Sequence, residues 1–290
     1  MADGAGVMTG SPNMTAGAVP AAAPAGTGST MLTASSVFTG RAMRHVVRRP
    51  ETVVQTVIFP IVLLLTMLAV FSTAVEQFTA AQPDVPAGEP YAQRLVPVMI
   101  LSGIMFGSSG AAVLLFTDLR NGFFTRIRAL STPLGAPLVG ISVAEAVRAS
   151  VTVVTLCIAG IVAGFRFQAG WPAALGFLAV AALAAVTFTW VGLFLAAVAR
   201  SMESFLPPLN ALFLVLLFCS QGMVPLDAYP EAFQPFVRWN PGSAYVVLLD
   251  RLARGEELLG ELLLAAGWSA ALITVSGVLC VRSLRHWQSG

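Results

Sequence analysis

Six apolar stretches, near 52–75, 95–117, 140–165, 173–199, 205–224 and 259–281, each have the length needed to cross a lipid bilayer. A hydrocarbon core about 30 Å thick takes ~20 residues at helical rise. The surrounding composition agrees. Of 290 residues, 57% are hydrophobic and only 10% charged, with a mean hydropathy of +0.81; soluble chains run nearer ~25% charged. The pattern predicts an all-α membrane protein with six transmembrane helices. Pro60 should kink the first, and Pro207-Pro208 fall in the first turns of the fifth, where proline is tolerated. The second contains Gly103-Ile-Met-Phe-Gly107 followed by Ser108-Ser109-Gly110, a small-residue face that permits close helix approach.

The flanks set orientation. Residues 1–33 are Ala, Gly, Pro, Ser and Thr with a single charge, Asp3, and predict a disordered tail. Lacking a basic start and a continuous apolar core, this tail does not read as a signal peptide. From Ser35 to Pro50 the chain turns basic. On a helix, Phe38, Ala42 and Val46 line one side and Arg41, Arg44 and Arg48 another, which suits a helix lying in the lipid interface. A basic flank that only sets topology fits the same residues. With the N-terminus inside, Arg41, Arg44, Arg48, Arg49, Arg120, Arg126, Arg128, Arg200, Arg282 and Arg285 are cytoplasmic. Only Arg94, Arg166, Arg238, Arg251 and Arg254 are outside, and Arg148 is near or within the third span. Arginine resists translocation, so both termini are expected in the cytoplasm.

Between the second and third spans lies a polar island, Asp118-Leu-Arg-Asn-Gly-Phe-Phe-Thr-Arg-Ile-Arg-Ala-Leu-Ser-Thr-Pro133. Phe123, Ile127 and Leu130 share one side at helical spacing, with Phe124 beside them and Arg126 and Arg128 interleaved. Two readings fit: a loop that anchors topology, or a docking knob for a cytoplasmic partner. On the external side, 76–94 carries Pro83, Pro86 and Pro90 and reads as an irregular connection. The longer block from Val224 holds Tyr229, Phe233, Phe236, Trp239 and Tyr245, and Ser243 to Arg254 reads as an amphipathic helix. These rings suit the membrane–water boundary, as a plain aromatic belt or as helical pieces dipping back toward the membrane.

Candidates for catalysis are few. All 16 basic residues are arginine. A phosphate-binding P-loop needs its lysine, so this chain is not expected to hydrolyse ATP. His45 and His286 are too far apart in sequence to suggest a ligand pair, and no GxSxG or HExxH motif occurs. Cys157, Cys219 and Cys280 read as small buried hydrophobes. Glu145 and Arg148, three apart, share one face of the third span. They fit a mutually neutralising pair near the cytoplasmic interface or part of a substrate entrance. The first is simpler, because the purely apolar part starts only at Ala149.

Taken together, the basic lead-in ending Arg-Arg-Pro50, the island with Arg120-Asn-Gly122 and Arg128-Ala-Leu-Ser-Thr-Pro133, and the external Val224-Pro-Leu-Asp-Ala-Tyr-Pro230 with Gln234-Pro-Phe-Val-Arg-Trp-Asn-Pro241 resemble permease subunits of type-2 ATP-binding-cassette exporters. With Gly164-Phe-Arg-Phe167 they are most similar to the actinobacterial daunorubicin-resistance-type branch, over about 35–288. Many relatives have a Gly-Thr pair followed by an acidic residue in the island; here Phe123 follows Gly122 and Thr125 comes later. The resemblance implies a type-2 transmembrane domain over 34–288 with no cofactor of its own. A cytoplasmic ATPase subunit would bind ATP and Mg, and a second permease, a copy or a related chain, would complete the complex. It also implies that Gly122, Phe123, Phe124, Arg126, Ile127, Arg128 and Leu130 form a coupling helix docking that ATPase. Tyr229, Phe233, Phe236 and Trp239 would form an external gate, and a hydrophobic or amphipathic drug-like molecule or lipid would be exported. Membrane lipid is the remaining partner; nucleic acid is not expected. An ion-coupled secondary transporter and a non-transporting scaffold that recruits a cytoplasmic partner remain open alternatives.

Overall fold

The computed structural model describes residues 38–40, 58, 61–70, 91–124, 127, 135–222 and 226–286. The predicted tail, most of the predicted lead-in helix, the ends of the predicted first span with Pro60, residues 76–90 of the connection predicted over 76–94, and Arg126, Arg128 and Leu130 lie outside them. Every regular element among the described residues is helical. In chain order these are α1 (Ile61–Val70), α2 (Ala92–Arg120), α3 (Gly135–Val162), α4 (Gly170–Val198), α5 (Met202–Phe218), a 3-10 turn (Leu226–Ala228), α6 (Gln234–Trp239), α7 (Pro241–Arg254) and α8 (Leu259–His286).

Four of these, α2, α3, α4 and α8, are long and apolar enough to cross a membrane; α1 and α5 are shorter apolar helices of 10 and 17 residues. The fifth predicted span thus begins earlier and ends earlier than its hydropathy suggests. Its start is fixed by Ser201, whose N–H donates to Ser204 Oγ at 3.2 Å. Its end is fixed from a distance: Asn240 Nδ2 donates to the Leu216 and Cys219 carbonyls, each at 2.8 Å. Because α5 starts at Met202, Pro207 and Pro208 lie inside it, beyond the first turn, and the carbonyls four residues back lose their helical donors.

The hydrogen bonds fix how the helices run. Thr189 Oγ1 donates to Ser108 Oγ at 3.3 Å, and Arg120 donates to the Arg200 carbonyl, so α2 and α4 lie parallel. In contrast α3 and α5 run antiparallel to α2: Val96 meets Gly160, while Ser109 donates to Asn210 at 2.7 Å and Phe116 stacks near Phe205. The centre is α4, which touches α2, α3, α5, α7 and α8. Its buried Ala181, Ala184, Ala185, Ala196 and Ala197 let those neighbours come close. On its far side α8 is held by Ser283, whose Oγ donates to the Ala197 carbonyl at 3.0 Å.

Arg120, Arg200 and Arg282 therefore gather at one end of the bundle. Arg94, Arg166, Arg251 and Arg254 gather at the other, where Gln93 bonds the Arg166 backbone and Gln168 N–H donates to the Ala253 carbonyl at 2.8 Å. Between these levels runs α7. It begins beside Leu216, well inside the length of α2, and finishes at the Gln168 end. Its Tyr245 hydroxyl is buried between Thr187 Oγ1 of α4 at 2.9 Å and Ser269 Oγ of α8 at 2.5 Å.

Candidate functional site

At the Arg120 end, α2 stops because Asn121 caps it and Gly122 takes φ of 66°, a left-handed turn that side chains with a Cβ resist. The chain then folds back against the bundle. Phe123 is half-buried, its ring edge-on to Phe38 at 6.0 Å and to Phe124 at 5.8 Å. Phe124 is 6% exposed and Ile127 3%. Both face inward, so in this conformation they anchor the island to its own chain instead of presenting a surface to a partner. Phe38 completes the anchor. The backbone at 38–40 lies against α3 so closely that a Cβ at Gly140 would stand 2.7 Å from the Phe38 Cβ. Beside them Arg120 lies over the Phe116 ring, 5.3 Å from its centroid. Sequence spacing found Phe38 as apolar and Arg120 as basic; their partners, Phe123 and the α4–α5 turn, come from chain segments far away and carry no local signal.

The second group is Glu145 and Arg148. Both are buried, and both lie near the middle of α3, not at its edge: the helix starts at Gly135, before its most apolar part. Arg148 Nε donates to both Glu145 carboxylate oxygens at 2.9 Å, and Nη2 also bonds Oε1. The guanidinium lies directly over Gly107 of α2, where any Cβ would collide with it. The small face predicted on α2 thus makes room for a charged side chain from α3. A single charge here would be very costly, and the pair offsets most of that cost.

The third group is the aromatic block from Tyr229 to Trp239. Tyr229 OH donates to the Phe218 carbonyl at 3.0 Å and lies 3.4 Å from that of Ser220, closing the end of α5. Burial, with Cys219 nearby, pushes its phenol above the ordinary value. Phe233, Phe236 and Trp239 behave differently: they are 51%, 50% and 64% exposed and lie on one side of α6, with Val237 buried on the other. Phe233 and Phe236 pack edge to face at 5.8 Å. Trp268 Nε1 of α8 donates to the Trp239 carbonyl at 3.0 Å, which fixes the position of α6. Asn240, next in sequence, also accepts from Gly242 N–H at 2.8 Å and so starts α7. Sequence reasoning passed over this asparagine, although Asn before Pro241 is a recognisable helix-start signal. Among the described residues no group of three His, Cys, Asp or Glu side chains is arranged to hold a metal ion.

Comparison with known proteins identifies relatives of the chain. The chain is 27% identical over 190 residues to a probable doxorubicin resistance ABC transporter permease protein, DrrC, of Mycobacterium tuberculosis, in each of two strains. That alignment covers 63% of this chain and 66% of the relative, so the chain spans just under two thirds of the length of those proteins. It is 25% identical over 257 residues to the daunorubicin resistance ABC transporter permease protein DrrB1 of Streptomyces coeruleorubidus, covering 89% of this chain and 88% of the relative. Residues 33–249 match the family described as ABC-2 type transporter, and the chain belongs to that family.

Proposed function

We propose that this chain is the membrane-spanning permease subunit of an ATP-driven exporter that moves a hydrophobic or amphipathic molecule out of the cytoplasm or inner leaflet. The observation that carries the reading is the family match over 33–249, which takes in α1 to α6 and most of α7. The relatives are named for doxorubicin and daunorubicin resistance, which favours a drug-like cargo over a lipid. ATP and Mg are held by a separate cytoplasmic ATPase subunit, and a second permease, a copy or a related chain, completes the membrane part.

In this reading six spans cross the bilayer, α1 lying within the first and α5 forming the helical part of the fifth. The Arg120, Arg200 and Arg282 end is cytoplasmic, as arginine's resistance to translocation favours, and both termini lie there. The α6 and α7 helices are external pieces that re-enter the membrane beside α5. The island is the coupling element. Burial supports a division of labour in which Gly122 turns it and Phe123, Phe124 and Ile127 root it in the bundle; Arg126, Arg128 and Leu130, assigned from sequence alone, meet the ATPase subunit. Movement of that subunit is then passed through the Phe123 and Phe124 rings to α2 and the start of α3. Tyr229, Phe233, Phe236 and Trp239 form the external gate.

The test is co-purification of this chain, after mild solubilisation, with the P-loop protein expressed alongside it. A stable complex whose ATP hydrolysis responds to drug-like molecules is expected. A chain that purifies alone and exports in response to an ion gradient would replace this reading with a secondary transporter.

A further inference from the structure

The Arg148 guanidinium carries a donor that no group among the described residues takes up. Nε and Nη2 are engaged by Glu145, while Nη1 is buried without a hydrogen-bond partner. Buried donors are almost always satisfied, by protein, water or ligand, and intramembrane charges usually face a partner or a wet cavity. The donor itself is enclosed, but the cover on its α2 side thins out within one turn. The guanidinium lies over Gly107, which is only half-buried, and one turn further along α2 Gly110 is exposed, with nothing within 4 Å of where a Cβ would stand. Two glycines of α2, one under the guanidinium and one open, therefore separate the unfilled donor from the exposed face.

Depth and charge narrow what fits. Gly107 lies near the middle of α2, about 20 Å from either end at 1.5 Å rise per residue. The ester oxygens of lipids belong to the interfacial region and do not reach that depth. Glu145 already balances the guanidinium charge, so an anionic ligand would bring an uncompensated charge into the apolar layer. A neutral oxygen acceptor satisfies Nη1 without that cost.

We propose that Arg148 Nη1 is a cargo-binding donor, which holds a neutral ketone, ether or hydroxyl oxygen of an apolar molecule lying along the Gly107–Gly110 stretch of α2. This rests on the exporter reading and specifies the cargo chemistry of the path. Glu145 is a positioning residue: it holds the guanidinium so that Nη1 points away from their shared bond.

Fluorenone and fluorene test this, because they share one flat apolar skeleton and differ by a single ketone oxygen. Stimulation of ATP hydrolysis is measured on the permease–ATPase complex in lipid nanodiscs. The half-stimulating concentration should be about tenfold lower for fluorenone, the worth of one hydrogen bond to a charged donor. In Glu145→Gln/Arg148→Met, which removes both charges at similar volume, the preference should fall to within about twofold. Gly107→Ala keeps both charges but displaces the guanidinium, so it should lose the preference too; it decides the matter if the double variant does not assemble with its ATPase. Equal wild-type responses to the two probes would mean that Nη1 holds a water or nothing, and would overturn the inference while leaving the exporter reading intact. A preference that survives in the variants, or a loss that affects both probes equally, would also overturn it. No stimulation of the wild-type complex by either probe, together with no ATP-driven export, would remove the exporter reading and this inference with it.

Discussion

Phe124→Ala separates rooting from docking in the island. The ring is 6% exposed and meets Phe123 edge-on at 5.8 Å, within the apolar core of the bundle. Truncating a buried Phe costs about 3–5 kcal/mol in a rigid core, and the lower end applies here because a loop can partly collapse into the space. About 3 kcal/mol corresponds to roughly a hundredfold change in how strongly the island is held to its own bundle. If Arg126, Arg128 and Leu130 make the partner contacts, binding of the ATPase subunit should change only a few-fold. Export per ATP hydrolysed should fall steeply, because the movement is no longer passed on. The assay reconstitutes the complex in vesicles and measures ATP hydrolysis and cargo accumulation in the same sample. Unchanged export per ATP would refute the rooting argument. Loss of subunit binding, with normal coupling in whatever complex remains, would show that the ring docks directly.

Three further outcomes follow from the geometry. Tyr245→Phe removes bonds to Thr187 and Ser269, but each of those hydroxyls also bonds a carbonyl four residues back, at 2.8 and 2.7 Å, so no donor is stranded. The cost should be about 1 kcal/mol, at ~0.6 for each bond within a membrane, and a thermal-melt comparison showing a loss above 3 kcal/mol would contradict this. Phe236→Ala opens the exposed side of α6 without touching buried Val237, so insertion should be normal while the range of exported molecules shifts; identical export across several cargos would leave only an aromatic belt. Single cysteines at Ser131, Pro86 and Ser289, with Cys157, Cys219 and Cys280 replaced, should be reachable by an impermeant reagent from outside only at position 86; labelling at 131 in intact cells would reverse the topology.

The helices were legible because an apolar run of membrane length has few alternatives. The four longest appear within a few residues of their predicted limits. Where hydropathy failed, a distant side chain decided. Asn240 closes α5 from more than twenty residues away, and no property of 205–224 announces it. The same limit applies to the sites. Helical spacing put Glu145 and Arg148 on one face, yet it could not show that the face meets Gly107, nor that the pair lies at mid-helix. In the island, alternation of rings and arginines marked an amphipathic segment. Spacing has no sign, however: it could not tell whether Phe124 and Ile127 look toward a partner or back into the bundle.

The most direct measurement places the purified chain in sealed vesicles, with and without its ATPase subunit, and follows a fluorescent drug-like cargo. Uptake into inside-out vesicles should require the subunit, ATP and Mg together, and should persist when proton and sodium gradients are collapsed. Cargo movement by this chain alone, driven by an ion gradient and indifferent to ATP, would contradict the account.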